Sequence, residues 1–200
     1  MRKGIKFWTT VSSISLVTLG MIPTLHAEEK ETLMNGKKTV VRHAQGTGMW
    51  FPADPVELKS IVRGWTGDAN RLPSISNRIT GAIAPHAGFV YSGRIAGATF
   101  RALKDNSSIP GNKPETAVIL GFTHKYPLSG IAIMDGDAIS TPLGLTALDV
   151  EGAEILVKNS KLIRFEAKPH AYEHSAENEV PFVQFALPDT KIILVLMSVS

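Results

Sequence analysis

The pattern of apolar and polar positions predicts strands that alternate with helices. Residues 116–121 (TAVILG) and 191–197 (KIILVLM) are continuous apolar runs, which are typical of strands buried on both faces. Shorter apolar runs at 79–84 and 130–134 predict two further strands. This alternation predicts an α/β fold with a mainly parallel or mixed central sheet and helices on both faces.

Two helices are predicted in the first half of the chain. Asp54 as the capping residue and Pro55 at the first helical position begin a helix that Gly67 ends. Its apolar positions recur at helical spacing: Leu58, Ile61, Val62 and Trp65. Small and apolar residues predict a second helix over 92–104, and we expect Gly93 and Gly97 to allow close helix–sheet packing.

Two more helices are predicted in the second half. Asp149 caps a helix that runs to about Lys158. Ser175 is predicted to cap another that runs to about Leu187, with a kink at Pro181. The apolar run at 191–197 ends close to residue 200, so we expect an apparently truncated sheet whose last strand lacks its covering element.

Three segments are predicted along the chain. Residues 1–27 have a basic start, an apolar stretch and a small residue, Ala27, at a cleavage point, which indicates a signal peptide and export to the periplasm or the extracellular space. The alternative is a membrane anchor formed by the uncleaved leader. The polar stretch 28–40 is predicted to be a linker, and 41–200 an incomplete α/β domain.

The composition of the chain excludes or disfavours several classes of function. The chain has 200 residues, of which 44% are hydrophobic, so it can bury a core. The net charge of +3 is carried by Arg2, Lys3 and Lys6, and the remainder is neutral, which disfavours nucleic-acid binding. Once the leader is cleaved, no membrane association is expected. The absence of cysteine excludes disulfides, thiol nucleophiles and cysteine zinc sites.

Histidine is the residue type that carries candidate chemistry. His86 and His124 each lie just past the carboxyl end of a predicted strand, and open α/β sheets bind ligands at these ends. Two such imidazoles can converge on one site, and neutral imidazole suits Fe, Cu and Zn. The alternative is that each ring hydrogen-bonds a loop carbonyl.

A third histidine, His174, precedes the helix start predicted at Ser175. A helix N-terminus disfavours the imidazolium, so His174 is a candidate acid–base group, with a solvent-facing capping role as the alternative. His43 and His170 are predicted to be surface or loop residues. The chain has no G-x-S-x-G motif, P-loop or dinucleotide-binding glycine pattern.

Six short motifs resemble those of the MEMO family, also called AmmeMemoRadiSam system protein B. They occur in the family's order over residues 41–200: GMWFPADP (48–55), APHAGFVYSG (84–93), ILGFTH (119–124), PLSG (127–130), TPLG (141–144) and EHSAE (173–177) with Pro181-Phe182.

The resemblance implies a fold related to class III extradiol dioxygenases and a non-haem metal, typically Fe(II). With imidazole ligands, the expected cofactor is Fe(II) or Cu. The resemblance also implies that His86 and His124 are metal ligands and that His174 lies at the same cleft. Lys125 and Phe122 depart from the family's PSHH motif at its second His and its Pro. The family's S-S-D-x-x-H segment, which would bring the third ligand, is not present in this chain.

Three hypotheses follow. The first is a metal-dependent protein with redox activity, in which His174 is catalytic. The second is a non-enzymatic module that binds a metal or a peptide, because a shared fold does not confer activity. The third is a truncated, inactive member of the family. A small molecule or a peptide is the expected ligand.

Overall fold

The computed structural model describes residues 30–34, 37–67 and 75–198. Its strands are β1 (Lys30–Met34), β2 (Lys37–His43), β3 (Thr116–Phe122), β4 (Ile131–Ile133), β5 (Ala138–Thr141), β6 (Gly144–Ala147), β7 (Ile163–Phe165) and β8 (Lys191–Met197). Its helices are α1 (Pro55–Gly67), α2 (Arg94–Ser107), α3 (Val150–Asn159), α4 (Ala167–His170) and α5 (Val180–Ala186). A π turn (Phe89–Gly93) precedes α2, and a 3-10 turn (Glu177–Glu179) precedes α5.

The strands form two mixed four-stranded sheets. The first has the order β3-β8-β4-β7, with β3 parallel to β8 and β4 antiparallel to β8. The second has the order β1-β2-β5-β6. The predicted α/β class with a mixed sheet is therefore confirmed.

The apolar run of β8 is buried on both faces because helices cover both faces of the first sheet at this strand. Ile192, Leu194 and Leu196 join the larger core, together with side chains of α1, α2 and α5. Ile193 and Val195 point the other way and pack with side chains of β4 and α3. The expectation that this strand lacks a covering element is wrong. The exposed apolar face belongs to the edge strand β3, where Val118 is 50% and Leu120 62% exposed.

Two predicted helix starts are confirmed. Asp54 Oδ1 accepts a hydrogen bond of 2.7 Å from the Glu57 amide, and Asp149 Oδ1 accepts one of 3.1 Å from the Gly152 amide. Each carboxylate satisfies an amide that has no partner within the first turn of its helix.

Gly93 and Gly97 allow close helix–helix packing, not the helix–sheet packing predicted for them. A Cβ atom on Gly97 would lie 2.5 Å from Trp65 Cβ, and one on Gly93 would meet the Trp65 indole. The two glycines therefore let the start of α2 approach α1.

The predicted strand at 79–84 is not formed. The Ile79 amide donates to Asn106 Oδ1 at 3.0 Å, and the Ile83 carbonyl accepts from Thr99 Oγ1 at 3.1 Å. Side chains of α2 thus form hydrogen bonds with backbone groups of residues 79–84 that a neighbouring strand would otherwise pair with.

The helix predicted over 175–187 begins later and has no kink. Ser175 is not its cap, because the Ser175 hydroxyl bonds the backbone of Phe122 in β3. Pro181 lies in the first turn of α5, where the missing amide has no helical partner to lose.

The predicted linker at 28–40 contains strand structure, since β1 and most of β2 lie within it. Its polar sequence gives no strand periodicity; β2 is ordered by pairing with both β1 and β5. The predicted signal peptide, 1–27, lies outside the described residues. Among those that are described, no helix is both long and apolar enough to cross a membrane.

Candidate metal centre

The loop that carries His86 is fixed from two sides. Ser92 Oγ donates to the carbonyls of Pro85 and Ala87, at 3.3 and 3.1 Å. The buried Asn178 donates through Nδ2 to the His86 carbonyl at 2.8 Å. His86 therefore follows a bonded loop and not the strand that the sequence predicts.

His124 lies two residues beyond β3. The pairing of β3 with β8 continues through the Thr123 amide, which donates to the Met197 carbonyl at 2.9 Å. The next amide, that of His124, leaves the sheet and donates to Glu173 Oε2 at 2.6 Å. Its imidazole is 41% exposed, so an incoming ligand can reach the ring.

His174 belongs to a segment that crosses the end of β3 at close range. A Cβ atom on Gly121 would lie 2.6 Å from Ser175 Oγ, so glycine makes this approach possible. Ser175 Oγ accepts from the Phe122 amide at 2.9 Å and donates to the Phe122 carbonyl at 2.8 Å. The His174 ring stacks on Trp50, with the centroids 4.0 Å apart and the planes 7° from parallel.

These three loops bring three imidazoles together. His86 Nε2 and His124 Nε2 lie 3.4 Å apart. The ring centroid of His174 lies 5.1 Å from that of His124 and 6.1 Å from that of His86. Among the described residues, the His86 and His124 rings hydrogen-bond each other and Glu173, and neither ring bonds a loop carbonyl there.

The two remaining histidines lie elsewhere. His43 is exposed on β2, as predicted for a surface residue. His170 was predicted to be a surface or loop residue but lies on α4 and is only 4% exposed, and its Nε2 contacts the Ala132 carbonyl at 3.3 Å. Burial lowers the pKa of His170 to about 4, which keeps it neutral.

Glu173 belongs to the site although it was not among the residues predicted from the sequence. Its carboxylate is 2% exposed and accepts from the amides of His124, His174 and Ser175. Burial would raise its pKa, but these amide bonds and the bond from the His124 ring outweigh burial and lower the pKa to about 2. Glu173 therefore carries a full negative charge beneath the imidazoles. A sequence signal existed, namely a carboxylate directly before a candidate histidine.

The His86 and His174 rings are held neutral. Burial lowers the pKa of both, and so does the neighbouring His124, while the charge on Glu173 acts in the opposite direction. A neutral ring keeps one nitrogen lone pair, which is what a metal ion or a proton donor needs.

The donor set fits a first-row transition-metal ion. Two nitrogens that each bond one ion at ~2.0–2.1 Å with tetrahedral geometry lie roughly 3.4 Å apart. The separation of His86 Nε2 and His124 Nε2 is 3.4 Å. A second grouping is also present, since ligand atoms of His124, Glu173 and His174 lie within 4.8 Å of one another.

Comparison with known proteins assigns the chain to a family. The Memo-like protein family matches residues 42–200. A MEMO1 family protein of Methanothermobacter thermautotrophicus is 34% identical over 164 residues, which are 79% of this chain and 57% of the relative. A MEMO1 family protein of Methanopyrus kandleri is 35% identical over 69% of this chain and 49% of the relative. One of Thermococcus onnurineus is 32% identical over 80% of this chain and 54% of the relative.

The chain thus spans about half the length of the curated relatives it matches. The family match nevertheless covers every residue that builds the histidine cluster, from Trp50 to Glu173 and His174. The chain belongs to the Memo-like protein family.

Proposed function

We propose that this protein binds a first-row transition metal, Fe(II) or Cu, through His86 and His124. The observation that carries the proposal is the 3.4 Å separation of the two Nε2 atoms. Three facts support it: the rings come from different loops, the His124 ring is accessible, and a buried carboxylate lies behind the cluster. When bound, such an ion supplies Lewis acidity and one-electron redox chemistry.

In this proposal His174 is the acid–base group beside the metal. Its Nδ1 lies 3.2 Å from Glu173 Oε1, and its ring is held flat against Trp50. A carboxylate at Nδ1 orients an imidazole and leaves Nε2 to exchange a proton, as in carboxylate–histidine pairs of hydrolases. His174 can therefore hold or release a proton at Nε2 close to the two ligands.

The test is metal binding by the purified protein, titrated with Fe(II) under anaerobic conditions and separately with Cu(II). We expect His86→Ala and His124→Ala to weaken binding by at least about 100-fold, since removing a ligand costs more than the 10–100-fold typical of residues that only support one. His43→Ala is the matched control, because His43 is an exposed histidine outside the cluster. His170→Ala is a poor control, since that ring is buried.

The outcomes separate the hypotheses. Cu(II) bound by wild type should show hyperfine coupling to two nitrogens in its electron paramagnetic resonance spectrum, and either alanine variant should lose the coupling to one of them. Equal affinities of His86→Ala, His124→Ala and His43→Ala would overturn the metal proposal. Tight binding without any change in metal oxidation state under air would favour the non-enzymatic binding module.

A further inference from the structure

The Glu173 carboxylate is shared by two of the three converging histidines. His124 Nδ1 lies 3.0 Å from Oε1 and 3.1 Å from Oε2, within hydrogen-bonding distance of both oxygens. His174 Nδ1 lies 3.2 Å from Oε1. The proposed metal would bind on the opposite side of the His124 ring, where Nε2 faces His86.

Both carboxylate oxygens are already engaged. Oε1 accepts from the amides of His174 and Ser175, at 2.8 and 2.9 Å, and Oε2 accepts from the amide of His124 at 2.6 Å. If Glu173 bound a metal directly, it would have to give up amide bonds inside a site where it is 2% exposed. Unpaired buried amides are costly, so these contacts argue against Glu173 as a ligand.

The same contacts decide where the ring protons are. A neutral imidazole has one N–H and one lone pair, and a carboxylate at Nδ1 stabilises the N–H there. The lone pair of each ring is then at Nε2. The effect should be stronger for His124, whose Nδ1 lies close to both oxygens, than for His174, whose Nδ1 lies near Oε1 alone.

We propose that Glu173 is a positioning residue that holds His124 and His174 as Nδ1–H tautomers and so presents their Nε2 lone pairs to the cleft. The expected change in metal affinity rests on the proposed function. The tautomers do not depend on it, because they are a property of the metal-free protein.

The experiment compares wild type with Glu173→Gln. Long-range proton–nitrogen NMR correlations in the metal-free protein distinguish the two imidazole tautomers. Wild type should show His124 and His174 as Nδ1–H. The glutamine has one acceptor oxygen and one amino group, and the amino group would donate to a ring nitrogen. We expect the Nε2–H form to appear, first at His124, and Fe(II) affinity to fall by about 10–100-fold.

Ser175→Ala is the matched control for loosening of the same segment. It removes the bonds between Ser175 and Phe122 but leaves the Glu173 carboxylate and the Ser175 amide in place. We expect this variant to be less stable, to keep both Nδ1–H tautomers, and to bind Fe(II) within about threefold of wild type. If it shifts the tautomers as Glu173→Gln does, Glu173 has only a structural role and the inference fails.

The other outcomes are also decisive. Metal loss in His86→Ala, together with unchanged tautomers and affinity in Glu173→Gln, would leave the metal site standing and overturn the positioning role. A third outcome is that wild type binds no metal but shows Nδ1–H tautomers that Glu173→Gln loses. This would support the positioning role and overturn the metal site. If Glu173→Gln does not fold, an Nε2–H tautomer of His124 in wild type would overturn the inference.

Discussion

Carboxylates on the segment from Glu173 to Glu179 have opposite charge states because their surroundings differ. Glu173 is surrounded by N–H donors and stays ionised, with a pKa of about 2. Burial raises the pKa of Glu177 to about 8, although the Gln45 and Gly46 amides donate to its Oε2, at 2.6 and 3.4 Å. Burial alone raises the pKa of Glu179 to about 8. At neutral pH the segment therefore combines one charged carboxylate with two neutral carboxyl groups.

The raised pKa of Glu179 predicts a pH-dependent stability. Between its ordinary pKa of 4.5 and about 8, Glu179 binds a proton in the folded protein but not in the unfolded chain. The contribution of Glu179 to the free energy of unfolding then falls as the pH rises through this window, by about 1.4 kcal/mol per pH unit. Glu177, with its raised pKa, acts in the same direction, and His86, His170 and His174, with lowered pKa values, act in the opposite direction. Glu179→Gln removes only the Glu179 contribution, so the stability of wild type relative to this variant should fall from pH 5 to pH 8, as measured by urea unfolding at pH 5, 6, 7 and 8.

The control is Glu154→Gln, which neutralises an exposed carboxylate on α3. It should keep the pH slope of wild type. If Glu179→Gln and wild type change equally in stability between pH 5 and 8, Glu179 is ionised in the folded protein and the burial argument fails.

The sequence predicted which histidines form the cluster, but it did not predict the contacts that they make. His86, His124 and His174 each lie in a short motif that marks a loop, so their type and place indicate a site. The role of Glu173 depends on which ring nitrogen faces which oxygen. That geometry is set by three loops from distant parts of the chain, and no local pattern encodes it.

Among the elements, β3 is crossed by residues 173–176, the segment that carries Glu173 and His174. Ser175 bonds both backbone groups of Phe122, so the crossing segment is fixed directly to the strand that leads to His124. A proline at residue 122 would have no amide to donate to Ser175. In this chain the bond from the Phe122 amide adds to the attachment of His174 to the sheet.

Gly121→Ala should disrupt this crossing. The new Cβ would lie 2.6 Å from Ser175 Oγ and 2.8 Å from the Ala176 amide nitrogen, and the backbone cannot yield as a flexible side chain would. We expect a loss of about 1–3 kcal/mol in the free energy of unfolding. We also expect weaker Fe(II) binding, because the Glu173 carboxylate must move with the segment. Urea unfolding and metal titration measure the two effects.

Gly64→Ala is the matched control, because a Cβ atom on this α1 glycine would have no atom of the described residues within 4 Å. Alanine in an exposed helix interior should add about 0.5–1 kcal/mol of stability and leave metal affinity unchanged. Gly121→Ala with wild-type stability and affinity would show that the crossing has room to relax.

The contact between α1 and α2 makes a second prediction at this scale. Gly93→Ala and Gly97→Ala should each lose about 1–3 kcal/mol, but for different reasons. The new Cβ at residue 93 meets the outer atoms of the Trp65 indole, whereas at residue 97 it meets Trp65 Cβ and its carbonyl carbon, at 2.5 and 3.1 Å. A smaller side chain, Trp65→Leu, should therefore relieve Gly93→Ala and leave Gly97→Ala unrelieved.

A double-mutant cycle from urea unfolding measures this difference. The coupling energy with Trp65→Leu should be favourable for Gly93→Ala and close to zero for Gly97→Ala. Equal coupling at both positions would show that the helices separate as rigid bodies and that the atomic contacts are not decisive.

The elements that the sequence could predict are those that leave a local apolar or capping pattern; length alone does not decide, because β4, with three residues, lies in a predicted apolar run and β2, with seven, does not. Long apolar runs and capped helices, such as β8 and α1, were predicted because burial and capping leave local patterns. The short strands β5, β6 and β7 have three or four residues each, too few to establish a period. The run at 79–84 has a strand-like composition, but its partners are the side chains of α2.

At the scale of the whole molecule, the histidine cluster joins parts of the chain that lie far apart in sequence. His86 belongs to the loop before α2, His124 to the end of β3, and His174 to the crossing segment. His124 lies just past the end of a strand, as predicted. His86 was also predicted to follow a strand, but it lies in a loop that no strand directly precedes. A ligand held by both His86 and His124 links two distant loops, and an unfolded chain must close a loop of 38 residues to offer both at once.

Metal binding should therefore raise the thermal stability of the whole protein. A ligand at 100 times its Kd adds about 2.7 kcal/mol when only the folded state binds it. For a protein of this size, each kcal/mol corresponds to a Tm shift of about 2–4 °C, so the expected increase is about 5–10 °C. Anaerobic thermal melts with and without Fe(II) should show this increase for wild type and for His43→Ala. They should show none for His86→Ala or His124→Ala, because each leaves a single loop in contact with the ion and removes the link between the two. The same increase in all four proteins would place the bound metal outside the cluster.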